Sequence, residues 1–265
     1  MRHPHVLHVS FASALFSQSA TLLKDSASRF GVRRIEIYTP GSPAMKQAFA
    51  ENPAYNVDQL GAGYWFWKPY VILDAMRQVP DGTPVLYTDA AVEYIADPAP
   101  LFALLEGRDI VLFENLYPEW TQAAFTRRDC FVLLDADTPD HWNARQLDAA
   151  FQLYRAGPVA RAFLAEWKQA MRDPRVLISD AKVSGLPDLP GYIDHRYDQS
   201  VLTILARRAG VETFRSPAIA PRESDVSVSC PRIFDHHRRR NKKRKTFARM
   251  RIRRFLRLNK PTRSN

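Results

Sequence analysis

The chain has 265 residues, 46% of them hydrophobic and 11% aromatic, enough to bury a substantial core, which excludes a globally disordered chain. Its 38 Lys and Arg exceed its 28 Asp and Glu, but 14 of the basic residues lie between Arg238 and Arg263, leaving residues 1–237 with 24 against 28, a net of −4. The basicity belongs to a tail, so the overall charge of +10 is no sign that a folded domain binds nucleic acid.

In chain order, His5–Ser10 reads as a short buried strand. Ser17–Phe30 has helical apolar spacing and stops at Gly31, a helix C-cap. Arg34–Tyr38 alternates as a second strand and ends at Thr39-Pro40-Gly41. Strand, helix and strand in about 35 residues is the βαβ signature of a parallel sheet. Pro69–Gln78 reads as a helix, Thr83–Thr88 as an apolar strand ending at Asp89, and residues 98–106 as a short helix. Ile110–Phe113 and Cys130–Leu134 read as strands, residues around 145–155 and 158–172 as helices, and Tyr197–Ala209 as a helix capped by Gly210. The predicted organisation is one α/β domain over residues 1–237 and a basic, partly helical or disordered tail over 238–265.

Two cysteines, Cys130 and Cys230, make neither a disulfide framework nor a thiolate metal site. The polar N-terminal stretch reads as no signal peptide, and no run approaches the roughly 20 apolar residues of a membrane span. The expected location is the cytoplasm.

Four segments carry chemistry. Gly61–Pro69 (GAGYWFWKP) places Tyr64, Trp65, Phe66 and Trp67 in succession. They cannot all share one face of a helix or strand, so the rings are expected either to stack in part on a base or sugar or simply to pack the sheet. Lys68 beside them suits a phosphate. Asp89 ends an apolar strand, where ligands bind in open α/β sheets. Asp198 and Gln199 open the 197–209 helix, where an acid is also an ordinary dipole partner. Asp235-His236-His237-Arg238 joins metal-ligating types to cations suited to a diphosphate.

GAGYWFWKPYVI, VLYTDAA, HRYDQSVLTIL and HHRRR, in that order, resemble a family of bacterial GT-A-type glycosyltransferases of polysaccharide biosynthesis. The resemblance spans roughly residues 5–240. It implies a Rossmann-like GT-A nucleotide-diphosphosugar transferase fold, with a mixed, mostly parallel sheet flanked by helices. It also implies transfer of a sugar from a nucleotide-diphosphate donor to a saccharide or lipid-linked acceptor in surface polysaccharide synthesis. Asp89, Asp198 and Gln199 would be catalytic; Tyr64, Trp65, Trp67, Lys68, His237, Arg238 and Arg239 would bind the donor; Asp89 and His237 would hold a divalent cation, Mn or Mg. Ala91 departs from the family pattern, standing where the second acid of the Asp-x-Asp motif belongs, with Glu93 as a substitute.

Two other readings compete: a catalytically idle sugar-nucleotide binder, favoured by Ala91, and a polyanion or nucleic-acid binder acting through the tail. The acidic body speaks against nucleic acid. In the tail, Phe247, Met250, Phe255 and Leu258 gather on one side of a basic helix, which predicts contact with an anionic membrane at its inner face.

Overall fold

The computed structural model describes residue 3 and residues 5–115, 120–178, 182–218 and 231–237. The proposed tail, with Arg238 and Arg239, and Cys230 lie outside these residues.

Eight strands are described: β1 Leu7–Phe11, β2 Arg34–Tyr38, β3 Pro84–Thr88, β4 Glu93–Tyr94, β5 Ile110–Glu114, β6 Leu147–Arg155, β7 Thr213–Arg215 and β8 Phe234–Asp235. Six form one sheet in the order β2-β1-β3-β6-β5-β7. The pairings β1–β2, β1–β3 and β5–β7 are parallel, while β6 runs antiparallel to both β3 and β5. The expected architecture, a mixed and mostly parallel sheet flanked by helices, is therefore present. β4 and β8 form a separate small ribbon.

Side chains alternate across the sheet. Val85 and Tyr87 of β3 join one core, shared with helices Pro43–Glu51, Lys68–Arg77, Pro158–Ala170 and Asp198–Arg208. Leu86 points the other way, into a second core with Leu23 and Ala27 of helix Ser17–Arg29. Both faces are covered, so the central strands are buried on both sides, mostly by apolar residues but with His8 and Ser10 on the second face of β1. Among the described residues, no helix is long and apolar enough to cross a membrane.

Two predicted elements are corrected. Residues 147–155, expected as helix, are the longest strand. β6 is buried on both faces, with Ala149, Ala150, Phe151, Leu153 and Tyr154 all inaccessible, so it shows no period-2 alternation to separate it from a helix. Cys130–Leu134, expected as a strand, falls on helix Arg128–Leu133 and its capping residue Leu134, with Cys130 and Phe131 buried. A five-residue apolar run carries too little periodicity to decide between the two. The remaining main elements fall within a few residues of expectation, including helix ends at Gly31 and Gly210, which take positive φ of 81° and 62°.

Candidate functional site

The site lies at the carboxyl end of β3. Thr88 pairs with Phe151 of β6, and the next residue, Asp89, donates its backbone N–H to the Ala150 carbonyl at 3.1 Å. Because β6 is antiparallel, its start lies at this same sheet edge, and it brings Asp148 there. The Asp148 carboxylate accepts from Ser216 Oγ at 3.1 Å and from the Ala150 N–H at 3.2 Å. Burial pushes its pKa up; His236 nearby opposes this and the charge of Asp89 adds to it. Sequence reasoning missed Asp148 because it fell inside a stretch read as helix. The one signal was the recurrence of Asp-Ala-Ala at 89–91 and 148–150.

Lys68 and Asp198 meet from two helix starts. Lys68 is the first residue of helix Lys68–Arg77 and Asp198 the first of helix Asp198–Arg208. Lys68 Nζ lies 2.9 Å from Asp198 Oδ2 and 3.5 Å from Asp89 Oδ1, and donates to the Ala149 carbonyl at 3.1 Å. Its ammonium thus lies within 3.5 Å of three oxygens, two of them from carboxylates. A cation at a helix N-terminus opposes the helix dipole, so the surrounding carboxylates, not helix formation, account for Lys68 there. Burial works against the ammonium charge, but Asp198, Asp89 and Asp148 outweigh it and raise the Lys68 pKa. Burial pushes Asp198 up to about 6, with Lys68 pulling the other way.

Asp89 is the most open member, its side chain 32% exposed against 5% for Asp198. The buried hydroxyl of Tyr87 donates to Asp89 Oδ1 at 3.0 Å. Gln199 accepts from the Ala149 N–H at 3.3 Å, and its buried Nε2 has no hydrogen-bond partner among the described residues. Asp89, Asp198, Gln199 and Lys68 are therefore brought together, with Asp148 added.

Lys68 was expected to clamp a phosphate, but it is 3% exposed and committed to carboxylates. Trp67 was expected to stack on a ligand, but it is 2% exposed. Its ring packs on Phe11 with centroids 4.1 Å apart, and its Nε1–H donates to the Gly61 carbonyl at 2.9 Å. The nearby Phe66 is also buried, stacked on Tyr55 at 4.3 Å. Tyr64 and Trp65 remain partly exposed, with Tyr197 beside both. Glu93, considered as a substitute acid, pairs instead with Arg29 at 3.1 Å on the surface. His237 is partly buried. Its neighbour His236 sets its ring edge-on to Phe151, midway along β6, at 5.6 Å. Among the described residues, no three His, Cys, Asp or Glu side chains group closely enough to hold a metal ion; Asp89 is engaged by Tyr87 and Lys68.

The aromatic segment has a backbone that sequence patterning does not announce. Gly61, Ala62, Gly63, Tyr64 and Trp65 all have positive φ, between 55° and 93°. They form a left-handed turn closed by the Tyr64 N–H on the Leu60 carbonyl at 2.6 Å. Left-handed helical geometry costs an L-residue roughly 1–2 kcal/mol, and Ala62, Tyr64 and Trp65 all bear it. The two glycines make the turn possible: a Cβ on Gly61 would stand 2.4 Å from the Trp65 ring, and one on Gly63 would stand 2.9 Å from Phe66. Strain concentrated this way is characteristic of functional sites.

No protein-family model matches the chain, and no curated protein matches its sequence. Among solved structures it is similar to an active-site mutant of LgtC, at 14% identity over 96% of this chain and 97% of that one, with a TM-score of 0.46. It is similar to the galactosyltransferase LgtC in complex with donor and acceptor sugar analogs, at 15% identity over 80% and 74%, with a TM-score of 0.44. It is also similar to apo mouse xyloside xylosyltransferase 1, at 12% identity over 80% and 84%, again with a TM-score of 0.44.

Proposed function

We propose that this chain is a glycosyltransferase that moves a sugar from a nucleotide-diphosphate donor to a saccharide or lipid-linked acceptor in surface polysaccharide synthesis. The observation that carries the reading is the buried Lys68–Asp198 pair, set beside half-open Asp89 at the carboxyl end of β3, where an open α/β sheet binds its ligands.

Breaking the bond from anomeric carbon to diphosphate develops positive charge on the sugar and negative charge on the leaving group. Asp198, kept ionised by Lys68, supplies fixed negative charge at the reacting carbon in a site largely closed to water, where such charge acts most strongly. Gln199 offers its amide to the same sugar. Asp89, opening outward, meets the ribose and diphosphate. Tyr64 and Trp65 give the donor an aromatic surface, and His237, Arg238 and Arg239 neutralise the departing diphosphate.

A panel of nucleotide sugars tests this by thermal shift and by turnover, with and without Mn or Mg and with chelator. A bound donor raises the melting temperature by mass action. If no nucleotide sugar stabilises the protein or is consumed by it, the reading fails. Activity lost in chelator and restored by Mn or Mg would add the cation to the proposal. We further propose that the basic tail holds the enzyme at the inner face of an anionic membrane. Full-length protein should sediment with anionic liposomes at low salt, whereas protein ending after Arg240 should not; equal sedimentation would remove the membrane from the proposal.

A further inference from the structure

Tyr197 stands out by its backbone. It has φ 50° and ψ −121°, a conformation that glycine adopts freely and a residue with a Cβ resists. It directly precedes Asp198, and its ring lies 5.2 Å from Tyr64 and 5.9 Å from Trp65, centroid to centroid. His195, buried behind it, meets the ring edge-on at 5.6 Å. Two strained segments far apart in the chain thus converge to put three partly exposed aromatic rings side by side. One of them belongs to the residue directly preceding Asp198, whose carboxylate pairs with Lys68. A turn here needs only glycine, so a tyrosine held at this cost argues for the ring itself.

We infer that Tyr197 is a sugar-recognition residue, completing with Tyr64 and Trp65 an aromatic wall that holds a pyranose ring beside Asp198. The inference rests on the glycosyltransferase reading. A pyranose presents a flat array of C–H groups to such a wall, while its hydroxyls stay free for Asp198 and Gln199. The ring could belong to the donor or to the acceptor, and the test separates them.

Tyr197→Phe, Tyr197→Ala and Tyr197→Gly are compared for thermal stability, for the KM of donor and acceptor, and for hydrolysis of donor without acceptor. Tyr197→Phe keeps the ring and should keep both KM values close to the parent's. The other two lack the ring and should raise one KM by roughly tenfold or more, the scale of a lost aromatic stacking contact. A higher donor KM with slower hydrolysis assigns the donor sugar; a higher acceptor KM with unchanged hydrolysis assigns the acceptor. Tyr197→Gly should melt above Tyr197→Ala, since both lose the ring but only glycine relaxes the backbone. The inference is overturned if the glycine variant keeps both KM values, or if it is no more stable than the alanine variant. A parent protein that neither binds nor consumes any nucleotide sugar would instead overturn the functional reading on which this rests.

Discussion

Lys68 Nζ and Asp198 Oδ2 lie 2.9 Å apart, with both side chains no more than 5% exposed. They join the starts of two helices 130 positions apart in sequence, beneath the open carboxylate of Asp89. Such a pair is costly to break, because removing one partner strands the other's charge.

Lys68→Met should therefore destabilise the fold by about 3–5 kcal/mol, measured by urea unfolding. Adding Asp198→Asn to that variant should recover part of the loss, since the stranded carboxylate is then gone. A double variant whose loss is simply the sum of the two single losses would show that the pair is not coupled.

The pH dependence has two opposed parts. Asp198 carries a pKa raised by burial from 3.8 to about 6, so the folded state holds its proton more tightly than the unfolded chain. Its contribution to stability is full below about pH 4 and is lost as pH rises through about 6. His8 and His195 act the other way. Burial lowers both from 6.5 to about 3, so their contribution is present above pH 6.5 and lost as pH falls toward 3. Net stability should fall on acidification, read as melting temperature against pH. In the proposed mechanism transfer needs ionised Asp198, so it should fall as pH drops through about 6, and Lys68→Met should move that limb upward.

Asp89→Ala and Asp148→Asn should each abolish or severely reduce transfer while the protein remains folded by circular dichroism. Glu93→Gln, altering only a surface ion pair with Arg29, should leave turnover within about twofold, because exposed pairs contribute little. Near-normal turnover in Asp148→Asn would remove that residue from the site.

Gly61→Ala should lower stability by about 1 kcal/mol or more, since φ is 63° and the added methyl meets the Trp65 ring at 2.4 Å. Donor or acceptor binding should weaken with it as Trp65 is displaced. Gly82→Ala provides the comparison, with a similar positive φ of 87° and open space around the added methyl; it should lose stability and keep binding.

Trp67→Ala should act as a core truncation, costing about 3–5 kcal/mol, because the ring is buried on Phe11. Urea unfolding should show the loss, and KM values measured at a temperature where the variant is folded should change little. A stable variant with a raised KM would return Trp67 to the ligand surface.

The sequence alone determined the α/β class, the first βαβ unit and the break in composition near residue 237, and it singled out the stretches around 61–69, 89 and 198. These rest on local signals: apolar periodicity, glycine at helix ends, and a carboxylate where an apolar strand stops. Only the tertiary structure decided which neighbours those residues have. Phe66, Trp67 and Lys68 follow Tyr64 and Trp65 directly, yet the left-handed turn swings these three into the core and leaves the first two half open. That turn depends on close contacts between Gly61 and Trp65 and between Gly63 and Phe66, which no periodicity encodes. Asp148 was illegible because β6 is buried on both faces and so lacks the alternation that marks a strand. Once that strand is placed antiparallel to β3, the pairing of Thr88 with Phe151 carries Asp148 to the edge where Asp89 stands. Lys68, legible as a phosphate clamp, is instead neutralised by carboxylates from Asp89 and Asp198, because burial makes an unpaired ammonium too costly.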